Sequence, residues 1–186
     1  MTDLFFPGEF FQVYSRTNGT ELLFRTEENY TFFLEKYQKH CSTHFSTLSY
    51  CLLPNHFHFL IQVKENAKPE TALRSFSNFL NGYAKAYNQL YDRHGGLFQR
   101  KFKRKQVDGD SYLSQLIIYI HRNPQKHGII EDFKNWKFSS FKALTSQKPT
   151  KIDRDFVLDW FGGVEEFKKI HDSEQATRLM QELFLE

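Results

Sequence analysis

The run "FSTLSYCLLPNHFHFLIQV", Phe45 to Val63, constrains the fold of this chain more than any other stretch. Two apolar segments, Phe45 to Leu53 and His56 to Val63, flank the turn signal Pro54-Asn55, which predicts a hairpin of two central strands. Alternate side chains of a strand point to opposite faces, so Phe57 and Phe59 share one face and His56 and His58 the other. The first face is expected to be buried and the second to offer two imidazoles side by side. Histidines so placed are either a hydrogen-bonded pair within a sheet or two nitrogen ligands for a divalent metal. Position 60 is Leu60, which disfavours a nucleotide hydrolase built on H-x-H-x-H. A third ligand must come from another element.

The flanking segments supply a fold around that hairpin. "EFFQVYS", Glu9 to Ser15, reads as a strand broken by Thr17-Asn18-Gly19, and Thr26 to Cys41 as an amphipathic helix with Tyr30, Phe33, Leu34 and Tyr37 at helical spacing. Pro69 to Tyr91 repeats apolar residues at three and four, as in a long helix with proline in its first turn. A further extended segment around Phe102 to Val107 completes β-α-β-β-α-β. That order predicts an α+β fold of the ferredoxin-like split β-α-β type, an antiparallel sheet with helices on one face. A helix over Asp110 to Pro124 follows, with Pro124 setting its end near Asn123. Beyond it the chain reads as mainly helical, with a break at Gly162-Gly163. The 186 residues suit one domain over 1–145 and a helical extension over 146–186.

Two further features carry chemistry. Gln115, Tyr119 and Asn123 are spaced at four, so they form one polar column on an otherwise apolar helix, whereas His121 lies about 200° from Tyr119 around the axis. The column either brings a phenol and an amide to the sheet, or Tyr119 is a core aromatic with a satisfied hydroxyl. The stretch "RHGGLFQRKFKRKQ" packs Arg93, Arg100, Lys101, Lys103, Arg104 and Lys105 among Phe98 and Phe102. It is either a solvated charged face or a surface where cations meet phosphates and rings stack on bases of a single strand. The formal net charge is only +3, so attraction to a polyanion must come from such clustering. Cys41 and Cys51 show no CxxC spacing, and no secretory leader or bilayer-length apolar run is evident. These point to a soluble cytoplasmic protein without membrane association.

Taken in order, "YCLLPNHFHFLIQV", "GGLFQRKFK", "YIHRNPQKHGII" and "WKFSS" resemble the IS200-like single-tyrosine transposases of the HUH superfamily, and the last two are most similar to the REP-associated tyrosine transposase branch. The resemblance spans roughly Glu9 to Ala143. It implies that His56 and His58 are metal ligands with Phe57 the bulky residue between them, that Asn123 is the third ligand, and that Tyr119 is the nucleophile. It further implies Mg²⁺ or Mn²⁺ as cofactor and single-stranded, hairpin-containing DNA as substrate, cleaved and rejoined through a 5′-phosphotyrosine link, by a monomer or a homodimer. Arg16 is grouped with the basic run as a DNA contact, although "VYSRTNG" differs from the "NRG"-like form common in such proteins. The alternatives are a DNA-binding protein of the same scaffold that does not cleave, such as a repressor of its own locus, and a metal-dependent phosphodiesterase that uses water.

Overall fold

The computed structural model describes residues 4–99, 101–173 and 176, so Arg100 and most of the chain beyond Ser173 lie outside the described residues. The elements run β1 Phe10–Arg16, α1 Glu27–Cys41, β2 Phe45–Leu53, β3 His56–Val63, α2 Pro69–Leu90, β4 Lys103–Gln106 and α3 Asp110–Lys126. A short 3₁₀ turn, Phe133–Asn135, then leads to α4 Phe141–Thr145, α5 Arg154–Phe161 and α6 Val164–Asp172. The strands form one antiparallel sheet in the order β2-β3-β1-β4, the α+β arrangement expected from the element order.

Local chemistry sets these boundaries. The Thr26 amide donates to Asn29 Oδ1 at 3.3 Å, and Glu27 and Glu28 place negative charge at the positive end of α1. Leu53 pairs with His56 across the two-residue Pro54-Asn55 turn, which fixes the register of β2 against β3. Gly162, at φ 80°, closes α5 in the left-handed conformation that glycine adopts without steric cost.

Helices α1 and α2 cover one face of the sheet. Phe33 meets Phe57 at a ring separation of 5.2 Å and Tyr37 stacks on Phe59 at 4.3 Å, with Phe76, Phe79 and Tyr83 closing the same core. Each such buried ring stabilises the fold by about 1.5–3 kcal/mol relative to exposure.

The other face is not open, as the alternation of β3 alone suggested. Leu48, Cys51, Leu53 and Leu60 project from it, and that apolar surface must be covered; α3 lies over it with Leu116, Ile117 and Ile120. Val157, Phe161 and Phe167 of α5 and α6 join the same core. His58 is therefore 1% exposed rather than presented to solvent.

Residues 136–153 also run along the outer edge of β2. Ser140 N donates to Tyr50 O, Leu52 N to Phe138 O, Asp153 N to Thr47 O, and the Trp136 indole to Leu52 O. Among the described residues no helix is long and apolar enough to cross a membrane.

Helix α3 runs further than its proline suggested. Pro124 lies inside it, and the His127 and Ile129 amides close its end on the Asn123 and Pro124 carbonyls. A proline this near the end of a helix sacrifices one bond, to the Ile120 carbonyl, and the following turn still forms. That turn brings Lys126 and His127 onto the histidine side of the sheet.

Candidate functional site

Strand β3 and helix α3 build the site between them. His56 and His58 lie on one face of β3 with ring centroids 5.3 Å apart. The Tyr119 ring meets His58 edge to face at 5.7 Å, and the His127 ring meets His56 at 5.0 Å. Residues 119, 123 and 127 recur at four on α3, so Asn123 stands between these two contacts on the helical face turned toward the histidines. It is fully buried, and neither Oδ1 nor Nδ2 of its amide has a hydrogen-bond partner. An orphaned amide in a packed interior costs about 1–3 kcal/mol, and such groups persist where a ligand or ion satisfies them.

The electrostatics suit metal ligation. Burial, reinforced by the positive charges of His127 and Lys126, holds the His58 imidazole down to about 3, so it is neutral near pH 7 and able to donate a lone pair. Asn55 Oδ1 lies 2.7 Å from His56 Nδ1; a proton on that nitrogen donates to the amide oxygen and leaves Nε2 as the basic nitrogen. Gln12 Nε2 makes a longer contact of 3.5 Å with His58 Nδ1. Among the described residues no three His, Cys, Asp or Glu side chains group to hold a metal ion, and the unpartnered amide of Asn123 is a candidate third ligand beside the two histidines. Two imidazoles and one amide oxygen form a donor set for a divalent metal ion that keeps open positions for phosphate oxygens.

A cleft of about 610 Å³ opens on this side, lined by His56, His58 and His127 together with Tyr14, Arg16, Lys101 and Lys103. Leu22, Pro54 and Ile129 form an apolar part of its wall. Tyr14 stacks on His58 at 5.6 Å, and the Lys103 ammonium lies 5.6 Å from the Tyr14 ring. Tyr119 and Asn123 stand behind the wall rather than in it, with Tyr119 only 1% exposed. Lys126 Nζ lies over the Tyr119 ring, 5.1 Å from its centroid, a cation–π contact.

The basic run divides by strand geometry. Lys101 and Lys103 face the cleft with Arg16, which pairs with His56 across the sheet. Lys105 Nζ donates to the Tyr112 hydroxyl at 3.1 Å, over the start of α3. Arg104 points to the opposite face, its guanidinium 5.3 Å from the Phe102 ring and 5.7 Å from that of Phe5.

Three expected DNA contacts also make contacts within the protein. Phe98 packs on Phe57 and Tyr83, and Phe102 on Phe5 and Phe76, so both half-buried rings extend the core. Arg93 pairs with Glu21 at 2.6 Å and donates to Asn88 Oδ1 and to the Gly95 and Gly96 carbonyls, bracing the loop from inside. Asn18 Nδ2 completes that brace on the Gly96 and Phe98 carbonyls. Gln115 turns back to Ser111 Oγ at 3.1 Å and stays out of the site. Sequence reasoning missed Tyr14 and His127; the four-residue spacing from Asn123 to His127 was a usable signal, whereas nothing local marks Tyr14.

No protein-family model matches the chain. A Haemophilus influenzae protein described as a REP-associated tyrosine transposase is 34% identical over 119 residues, which are 59% of this chain and 66% of that protein, just under two thirds of its length. Among solved structures, a REP-associated tyrosine transposase bound to a REP hairpin superposes with a TM-score of 0.61 at 17% identity, covering 78% of this chain and 85% of that one. The latter likeness is one of fold.

Proposed function

We propose that the chain is a REP-associated tyrosine transposase, like the relative to which it is 34% identical over 119 residues, and that it cleaves and rejoins single-stranded DNA bearing a REP-like hairpin, with Tyr119 as nucleophile. The observation that carries the proposal is the meeting of His56 and His58 on β3 with the Tyr119-Asn123 column of α3. The basic side of the cleft supports it, since Arg16, Lys101 and Lys103 lie within one ligand's reach of that meeting point. We place the activity in the cytoplasm, with which the buried, unbridged Cys41 and Cys51 agree.

In this mechanism Arg16, Lys101 and Lys103 hold phosphates along the cleft and orient the strand. A Mg²⁺ or Mn²⁺ ion bound by His56, His58 and Asn123 would supply neutralising charge for the scissile phosphate. The Tyr119 side chain turns toward the cleft, and its oxygen forms a bond to phosphorus as the bond to the 3′-oxygen breaks. The products are a 5′-phosphotyrosine and a 3′-hydroxyl, which takes up a proton. The phenol, with an ordinary pKa of about 10, gives up its proton in this step. Bond energy is kept in the covalent link, so attack by a 3′-hydroxyl on the phosphotyrosine reverses the step without a nucleotide cofactor.

The burial of Tyr119 behind the cleft wall favours a second reading, a hairpin-binding protein that does not cleave. One assay separates the two. The chain is incubated with a 5′-labelled and a 3′-labelled hairpin oligonucleotide, with Mg²⁺ or Mn²⁺, and resolved on a denaturing gel. A covalent adduct on the 3′-labelled fragment, absent with Tyr119→Phe, is the expected result. Tight binding without adduct under either metal sustains the second reading, and an adduct formed equally by Tyr119→Phe removes Tyr119 as nucleophile.

A further inference from the structure

His121, the histidine of "YIHRNP" that faces away from the cleft, is part of a chain of hydrogen bonds buried between three elements. Its Nε2 lies 2.8 Å from Ser140 Oγ and its Nδ1 lies 2.9 Å from His171 Nε2, while His171 Nδ1 lies 2.8 Å from the Phe167 carbonyl. Ser140, His121 and His171 are all 0% exposed. The polarity of the chain is fixed from its end. A carbonyl oxygen only accepts, so His171 Nδ1 carries its proton and His171 Nε2 is a lone pair. His121 Nδ1–H therefore donates to it, His121 Nε2 accepts from the Ser140 hydroxyl, and the Tyr50 amide donates to Ser140 Oγ at 2.9 Å. Run the other way, the chain would set a lone pair of His171 against the Phe167 carbonyl.

Its connectivity is that of a serine activated by a histidine, yet no substrate can reach a hydroxyl with 0% exposure, so hydrolysis is not its task. What the chain does is join strand β2, helix α3 and helix α6. Arg122 strengthens the joint by donating to the His171 carbonyl. Apolar packing of Leu116, Ile117 and Ile120 holds α3 on the sheet but resists small rotations weakly, whereas the directed bonds of the polar chain resist them, the Ser140 hydroxyl having the Tyr50 carbonyl at 3.2 Å as its alternative acceptor.

We propose that His171, carried by the C-terminal extension, is a positioning residue for Tyr119: through His121 and Ser140 it fixes the rotation of α3 about its own axis. His121 and Tyr119 project about 200° apart, so α3 is gripped on the side opposite its working face. A side-chain tip stands about 5–6 Å from a helix axis, so a turn of about 10° carries it roughly 1 Å. A displacement of that size costs up to about 100-fold in rate.

The proposal rests on the transposase reading, and its test keeps the two apart. The full chain is compared with His171→Leu, which removes the acceptor, and His171→Gln, whose Oε1 restores one for the His121 proton. Single-turnover adduct formation by His171→Leu is expected to fall about 10- to 100-fold, with hairpin affinity unchanged and His171→Gln near the wild-type rate. His171→Leu reacting at the wild-type rate while folded overturns the proposal. Where the unsubstituted chain forms no adduct the transposase reading fails instead, and amide hydrogen exchange decides the positioning. Exchange over Leu116 to Asn123 then rises in His171→Leu and not in His171→Gln; equal protection in all three overturns it. Where His171→Leu does not fold, Ser140→Ala carries the same comparisons.

Discussion

Lowering the pH from about 7.5 to about 5 is expected to remove about 4 kcal/mol of folding stability through His58 and His171 alone. Both imidazoles are held below the usual histidine range chiefly by burial, His58 at about 3 and His171 at about 4. In the unfolded chain each titrates near 6.5. At about pH 5 the folded protein keeps both neutral while the unfolded chain protonates both, and each group then costs about 1.36 × 1.5, or about 2 kcal/mol. The stabilisation is complete above the unfolded value and is lost as pH falls toward each folded value. His121, which burial also pushes well down, acts in the same direction. Against a total stability of about 5–15 kcal/mol, the loss is large. Urea unfolding at the two pH values and constant ionic strength measures it, and His171→Gln should reduce the difference by about 2 kcal/mol. Equal unfolding midpoints at both pH values, or a difference that His171→Gln leaves intact, would refute the assignment of these histidines as buried neutral groups.

Other perturbations sort structural from binding roles. Asn123→Leu removes two buried amide atoms that lack partners, so metal-free stability should rise by about 1–3 kcal/mol while stabilisation by added Mn²⁺ disappears, as read by melting with and without the metal. Lys101→Ala and Lys103→Ala should each lower the slope of log affinity against log salt for a hairpin oligonucleotide by about 0.7–1. Arg93→Ala should leave that slope unchanged and cost about 1–3 kcal/mol in urea unfolding, because its guanidinium is spent on Glu21 and the Gly95-Gly96 loop. Phe102→Ala should cost about 3–5 kcal/mol of stability, and hairpin affinity of the folded fraction should not change.

The hairpin of β2 and β3 was readable to the residue because alternation, a two-residue turn and apolar ends all agree there. The end of α3 was not, since the penalty of Pro124 is visible locally whereas the extra turn depends on bonds made after it. The spacing at four sets Tyr119 beside His58 while Gln115 turns back to Ser111, and extended by one step past Asn123 it reaches His127. The basic aromatic run was ambiguous for a physical reason: a ring that stacks on a base and a ring that closes a core are the same residue, and only the path of the backbone distinguishes them. Phe98 and Phe102 follow that path inward, Lys101 and Lys103 outward, and Arg104, one residue on, crosses to the other face because strand alternation demands it. Tyr14 had no readable signal, since its partner His58 lies on a neighbouring strand whose register the sequence does not state.

The backbone of residues 136–153 laid against β2 reaches beyond the stability of that strand. An unpaired strand edge is the usual place where a second chain adds itself to a sheet. Here the Thr47 and Tyr50 carbonyls and the Leu52 amide and carbonyl already have partners from the same chain, and the opposite edge is the four-residue β4, "KRKQ", which repels a like copy of itself. Extending the sheet at its β2 edge would first require residues 136–153 to peel away.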